Sequence, residues 1–321
     1  MVEYIINNHL GNEANAVMSN EERKFILSCE STANYPYDYW EKRDVPVLEY
    51  TYLFGQEEFP DDMGRNPDAL PEFYRRINNG EMPSTSQINV AQYEEFLEPL
   101  LKNGDVLHVA FGTGMTPAYH NAVVAAEKLR EKYPERKLVV IDSLCSCAGY
   151  GMLTEYAADM RDAGKPMEET EKWLLENRNK MHHQFFSTDL KYFRRSGRMS
   201  GAAATVGAVL NICPLMHLDD KGRIVAYDKV QGKKRAINET VRAMARLADN
   251  GTAYSGKCCI SHSNVPREAE ELREKVVESF PNLKRDDIKI YDICPIIAAH
   301  CGPGTTAIYF LGSPRPPETN S

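Results

Sequence analysis

The sequence predicts an α/β protein of two domains: a parallel, doubly wound sheet in the N-terminal half, then an α/β domain built on a mixed sheet. Three observations carry this. The chain has 321 residues, about two cores' worth by the usual size of a domain. Short β-branched or aromatic runs alternate with helix-like segments as far as residue 181, the order that parallel strands with crossover helices require. Beyond that point Leu215–Leu218 and Arg223–Val230 flank Asp219-Asp220-Lys221-Gly222, a hairpin signal that brings antiparallel pairing into the second sheet. The domains are therefore 1–181, with 1–23 a polar extension, and 182–321, with 312–321 a proline-rich tail expected to be disordered.

The first strand is Lys24–Leu27, running into the polar cluster Ser28-Cys29-Glu30-Ser31-Thr32. Val45–Phe54, rich in β-branched and aromatic residues, is the second. An acidic loop, Gly55–Pro67, leads to Asp68, placed to cap a helix over Ala69–Asn79 whose first turn tolerates Pro71. Pro83-Ser84-Thr85-Ser86-Gln87 reads as a hydroxyl-rich turn. Asn89 opens the next helix, to about Leu101, with Gln92 completing a capping box. Asp105–Phe111 is a strand. After Gly112-Thr113-Gly114, Thr116 as cap and Pro117 at the first helical position start a helix that reaches Lys132. Lys137–Asp142 is a strand, and helices over 147–163 and 167–181 are parted by Gly164-Lys165-Pro166.

The second half opens on a short strand, Gln184–Ser187, and a basic segment, Lys191–Arg198, holding Lys191, Arg194, Arg195 and Arg198. An uncharged run of mostly small residues follows, Gly201–Leu210. After the hairpin come a helix over 233–249, a strand Cys258–His262, a helix over 266–279, and a strand Ile288–Cys294. Ile296–Gly304 ends as a glycine-rich turn bearing His300, and Thr306–Leu311 closes the sheet. The adjacent His182 and His183 are expected to be one exposed and one packed ring.

Composition narrows the function. A net charge of −8 argues against a general nucleic-acid binder. The eight cysteines include no CxxC and no dense scaffold, which reads as free thiols in a reducing cytoplasm. No stretch approaches the roughly 18 apolar residues of a membrane span, and the first residues lack the pattern of a secretory signal.

Four chemistries were weighed. Gly112-Thr113-Gly114 matches no phosphate-loop spacing, and Pro117 removes a backbone donor at the helix start, so a nucleotide is disfavoured. Thr85, Ser86 and Thr116 each sit at or just before a helix start, where hydroxyls and helix-end N–H groups can bind a carboxylate; the same residues also serve simply as turn caps. His300 could donate to an anion, act as a base or close its turn, and Cys301 beside it raises a Cys-His hydrolase as the enzymatic alternative. Glu30, Asp142 and His300 lie at strand ends but share no metal-ligand spacing, so separate hydrogen-bonding roles are the expectation, with no metal or cofactor.

In combination the motifs resemble the DegV family, the fatty-acid-binding subunits of bacterial fatty-acid kinase. Glu30-Ser31-Thr32-Ala33-Asn34 is similar to the family's DSTAD, and His300-Cys301-Gly302-Pro303-Gly304 to its HTGPG. Between them Thr85-Ser86-Gln87, Asp142-Ser143, Gly197-Arg198-Met199-Ser200 and Asn211-Ile212-Cys213-Pro214 follow in order, over about Lys24–Leu311. The family's SGT stands here as Thr116-Pro117-Ala118. The resemblance implies a long-chain fatty acid lying between two α/β domains, with its carboxylate at Thr85, Ser86, Thr116 and His300. Arg198 then falls near the polar end or on the face offered to the kinase, and Gly201–Leu210 lines the tunnel or packs against its wall. It implies a cytoplasmic binding protein with no catalysis of its own, partnered by the kinase's catalytic subunit and in transient contact with a membrane surface. The rival reading is a hydrolase or transferase using His300 with Cys301 or Thr116.

Overall fold

The structure, a computed structural model, describes residues 25–199 and 211–317. The expected extension 1–23, the small-residue run 201–210 and the end of the tail lie outside the described residues.

Four parallel strands form the first sheet in the order β2-β1-β6-β7: β1 Ile26–Glu30, β2 Val47–Leu48, β6 Val106–Ala110 and β7 Leu138–Asp142. β6 is buried along its whole length, as expected of a parallel strand covered on both faces. The segment read as one strand over Val45–Phe54 is two: β2 joins the parallel sheet, and β3 (Thr51–Phe54) pairs antiparallel with β4 (Glu57–Pro60) and β5 (Pro83–Thr85). The acidic loop thus contains a strand, and the hydroxyl-rich turn begins as one. Tyr52, Phe54, Phe59 and Phe73 stack across this small sheet, which gives a three-stranded ribbon a core of its own.

Six strands form the second sheet, β10-β9-β8-β13-β11-β12, antiparallel except for β11 with β12. These are β8 Met181–Ser187, β9 Ile212–Leu218, β10 Ile224–Gln231, β11 Cys258–His262, β12 Lys289–Asp292 and β13 Thr305–Leu311. The expected hairpin is β9–β10, with a register shift between Ala226 and Asp228.

Helices α1 (Tyr37–Lys42), α2 (Ala69–Asn78), α3 (Val90–Asn103) and α4 (Ala118–Lys132) belong to the first half. The Asn89–Gln92 capping box is formed in both directions, at 3.0 and 2.9 Å. Asp68 precedes α2, but its side chain makes no cap bond. The cap of α4 is Pro117, one residue later than expected; Thr116 Oγ1 instead accepts from Ala118 N–H at 3.3 Å. Helices α5 (Cys147–Asp162) and α6 (Met167–Asn177) follow.

α5 is the joint of the molecule. It touches β1 of the first sheet and β8, β11 and β13 of the second. Such an approach needs small residues: a Cβ on Gly149 would lie 2.4 Å from the His183 ring, and one on Gly151 would lie 2.2 Å from the Ala33 carbonyl oxygen. Gly151→Ala forces backbone apart, and a loss of about 2 kcal/mol in folding free energy is expected by chemical denaturation.

The second half adds α7 (Lys191–Ser196), α8 (Lys233–Leu247), α9 (Pro266–Ser279) and α10 (Pro295–Cys301). Both His182 and His183 are buried, contrary to expectation, because β8 is an interior strand of its sheet. The tail is docked as far as residue 317: Arg315 is buried, its N–H donates to Asn179 O at 2.8 Å, and Pro316 O accepts from Asp220 N–H at 2.9 Å. All eight cysteines are free and buried. Among the described residues no helix is long and apolar enough to cross a membrane.

Candidate functional site

The residues singled out in the sequence come together around one cavity of about 120 Å³ between the two halves. Thr85, Ser86, Thr116, Arg198 and His300 all line it. By volume it holds about four waters, at roughly 30 Å³ each.

Each polar group has a structural reason for its position. Thr85 ends β5, where pairing with Tyr52 fixes its backbone. Ser86 is held by its own N–H, which donates to Thr51 O at 3.1 Å. Thr116 stands before α4 with its oxygen turned to Ala118 N–H, so its hydroxyl proton is free for a ligand. His300 sits in the last turn of α10, a helix rather than the expected glycine turn. The chain leaves that helix through Gly302 at φ +67°, where a Cβ would lie 2.1 Å from the Tyr192 ring.

His300 Nε2 and Thr85 Oγ1 are 2.9 Å apart, a bond across 215 positions of sequence. Burial holds the His300 ring down to about 4, and the nearby Arg198 and Arg195 guanidiniums add to the effect. The imidazole is therefore neutral at pH 7. In the tautomer that carries its proton on Nε2 the ring donates to Thr85 and leaves the Thr85 hydroxyl to donate to an anion; in the other tautomer Thr85 donates to the ring.

The basic segment divides its work. Arg195 clamps the site from outside, donating to Pro83 O and to Ala299 O, both at 3.0 Å. Arg198 is exposed, lines the cavity and donates to Ser196 O. One cation is thus left facing a cavity whose other polar groups are uncharged hydroxyls and a neutral ring.

Sequence reasoning did not find the apolar wall as individual residues. Tyr50, Phe111 and Met115 contribute from the first half; Phe193, Ile224, Ile296 and Ile297 contribute from the second. Phe111, Met115, Phe193, Ile296 and Ile297 lie close to motifs in the chain and Tyr50 and Ile224 do not, and an apolar residue in either place carries no signal that separates it from core.

Tyr50 and Phe111 are held by Glu30, which is fully buried. Its carboxylate accepts from Tyr93 Oη (2.6 Å), Tyr50 Oη (3.2 Å) and Phe111 N–H (3.0 Å), with His108 Nε2 at 3.4 Å. Asp142 accepts from Thr113 Oγ1 at 2.6 Å and from the backbone N–H groups of Thr113 and Leu144. Glu30, Asp142 and His300 therefore have separate partners, and among the described residues no cluster has the composition of a metal site.

Cys301 also lines the cavity, but burial pushes its thiol up to about 12 and its Sγ–H faces Gly302 O at 3.4 Å. A thiol so held is not a thiolate nucleophile at neutral pH.

The family model for DegV, described as an uncharacterised protein family, matches residues 24–313. A DegV domain-containing protein of Clostridium perfringens is 32% identical over 297 residues, covering 92% of this chain and 100% of its own. Among solved structures, a fatty-acid-binding DegV family protein from Thermus thermophilus superimposes with TM-score 0.78 at 23% identity, covering 90% of this chain and 99% of that one. A stearic-acid-binding protein from Eubacterium ventriosum superimposes with TM-score 0.80 at 19% identity, covering 90% and 98%. Both likenesses establish the same α/β architecture for this chain.

Proposed function

The chain belongs to the DegV family, and from that premise we propose that it binds a long-chain fatty acid between its two halves. The carboxylate lies at Thr85, Ser86, Thr116 and His300, and the chain runs along Tyr50, Phe111, Phe193 and Ile296. The observation that carries this reading is one cavity whose polar end joins hydroxyls of the first half to His300 and Arg198 of the second, beside a wall of apolar side chains from both. The binding of fatty acids by proteins of the same fold, from Thermus thermophilus and Eubacterium ventriosum, supports it.

The energetics suit a weak head-group site. Each buried methylene contributes roughly 0.8 kcal/mol, so a long chain supplies on the order of 10 kcal/mol before ordering costs. The hydroxyls need only orient the carboxylate, with Arg198 as the adjacent cation.

In the fuller reading the chain carries the lipid and a separate kinase phosphorylates the carboxylate. Arg198 marks the polar end or the partner face; the lipid is taken up from a membrane surface, in the cytoplasm, and residues 1–181 and 182–321 are the two domains. The protonated Cys301 thiol and the His300–Thr85 bond favour this over a hydrolase or transferase built on His300.

Native mass spectrometry of purified protein should show one co-purified fatty acid. Replacing Thr85 and Thr116 together by valine should weaken fatty-acid affinity at least about tenfold, ~1.4 kcal/mol. His182→Asn should leave it unchanged, since that ring bonds Ser313 O elsewhere. An empty protein whose esterase activity is lost to thiol reagents would establish the rival reading.

A further inference from the structure

A second and larger opening, a groove of about 950 Å³, lies between the halves and shares no lining residue with the cavity above. Asp61 lines it. The residue follows β4 directly, and its N–H is fixed by donation to Tyr50 O at 2.8 Å. Its side chain is only 1% exposed, and Oδ2 has no hydrogen-bond partner among the described residues. The Ser31 hydroxyl, the Cys294 thiol and Met63 N–H are turned toward the carboxyl, yet burial outweighs them and pushes it up to about 7. A buried acceptor left unpaired is costly.

Several other polar groups of the groove are occupied. The Asn34 amide donates to Asp292 O and accepts from Cys294 N–H. Tyr74 Oη is engaged with Ser263 at 2.9 Å. Asp38 is paired with Lys42, and Asp62 accepts from Gly64 and Asn66 N–H. The donors turned toward Asp61 are the Ser31 hydroxyl, the Cys294 thiol and Met63 N–H, and Oδ2 is left unpaired among the described residues. The groove's walls are aromatic, from Tyr35, Tyr37, Tyr74 and Tyr291. One of these rings already seats a guanidinium: Arg65 lies 4.5 Å over Tyr37.

We propose that this groove binds an organic cation, an alkyl-ammonium or alkyl-guanidinium group. Its N–H groups reach the Asp61 carboxylate, and its body lies on the tyrosine faces. A carboxylate turns freely enough about its last torsion to bring either oxygen to the groove. Cation–π contact with the rings adds to the charge-assisted bond. The chemistry is that of a free alkyl cation or of an arginine or lysine side chain.

The site has a pH signature. The groups that face Asp61 are Asp62, Tyr52, Cys147 and Cys294. Tyr52 is raised to about 12 and both thiols are raised by burial, so all three stay neutral near pH 7. Asp38, Asp292, Arg65 and Arg75 complete the charged lining, and burial holds His262, which faces Asp292, below the usual imidazole value. Asp61 is the group that changes charge between pH 6 and 8. Its ionised fraction, and with it cation affinity, rises about tenfold over that interval.

Calorimetric titration of the full chain with n-butylguanidinium tests this at pH 6, 7 and 8. Saturable binding that tightens about tenfold across the range, with no binding of neutral n-butylurea, is the expected result. Asp61→Asn should lose at least tenfold in affinity and flatten the pH profile while leaving the fatty-acid complement unchanged. Should that variant fail to fold, the wild-type pH series and the urea comparison decide alone. A blocked Gly-Arg-Gly peptide that binds more tightly than n-butylguanidinium would assign the cation to a protein side chain, and the reverse order to a free molecule. Absence of saturable binding at every pH, or binding indifferent to pH and to Asp61, overturns the proposal.

Discussion

Glu30→Ala should lower the free energy of folding by about 4 kcal/mol, the scale for breaking a buried, hydrogen-bonded charge. The carboxylate is completely buried and is faced only by donors: two tyrosine hydroxyls, the Phe111 N–H and the His108 ring. Nδ1 of that ring is 2.9 Å from Ser28 Oγ, so the network reaches back along β1. Removing the acceptor strands all of these donors out of reach of water. Glu30→Gln is not conservative here, because the amide turns two donors toward a ring of donors. It should cost at least about 2 kcal/mol. Two of the stranded groups, Tyr50 and Phe111, belong to the apolar wall of the cavity proposed to take the fatty acid. Loss of stability and loss of lipid affinity should therefore appear together in both variants. Denaturant melts of the empty protein, beside fatty-acid titration at a temperature where the variants stay folded, separate the two. Unchanged stability in Glu30→Ala would mean that the network is not closed as described.

The same residue shows how far a sequence can be read. Glu30 was visible as one letter of a motif, and its motif located the end of β1. Nothing in the chain says that Tyr50, Tyr93, His108 and Phe111 converge on it, because the bonds span 20 to 81 positions. The elements with strong local signals came out well: the Asn89 capping box, the strand Cys258–His262 and the helix Pro266–Ser279. Periodicity and caps are local, so they survive in one dimension. The failures share the opposite cause. Val45–Phe54 has the composition of one strand, but its two ends pair with different sheets, and pairing is a tertiary fact. His182 and His183 looked like alternate faces of a strand, yet both faces of β8 are covered. The tail was judged by its prolines, and Asn179 and Asp220 hold it in place. For the cavity, the hydroxyls and His300 were legible through motifs, whereas the groove at Asp61 had no motif to announce it.

Those buried histidines make stability depend on pH in a way that can be worked out with its sign. His183 Nδ1 lies 3.1 Å from Met181 O, and its Nε2 lies 3.1 Å from Ser146 N and 3.0 Å from Ser146 O. His182 lies under Phe310 and donates through Nε2 to Ser313 O. Burial lowers both, His182 from 6.5 to about 4 and His183 well below its ordinary value. A ring that resists protonation when folded leaves the unfolded chain to take up the proton. The stability this represents is intact above pH 6.5 and is lost as pH falls toward 4, at about 1.4 kcal/mol per pH unit for each ring. Asp61 acts in the other direction. Its value is raised from 3.8 to about 7, so its contribution is absent above pH 7 and grows as pH falls through that window. Between pH 6 and 5 His300, which burial also holds down to about 4, and His217 and His262, lowered in the same sense, join these two rings, so the histidines outweigh the one carboxyl and stability falls with pH. Denaturant midpoints measured at pH 7.5, 6 and 5 give this slope. In Asp61→Asn the opposing carboxyl is gone, and the slope should steepen by about 1.4 kcal/mol per pH unit. In His182→Asn one loss is removed, and the slope should become shallower by about 1.4 kcal/mol per pH unit. A slope identical in all three proteins would show that the pH dependence arises elsewhere in the molecule.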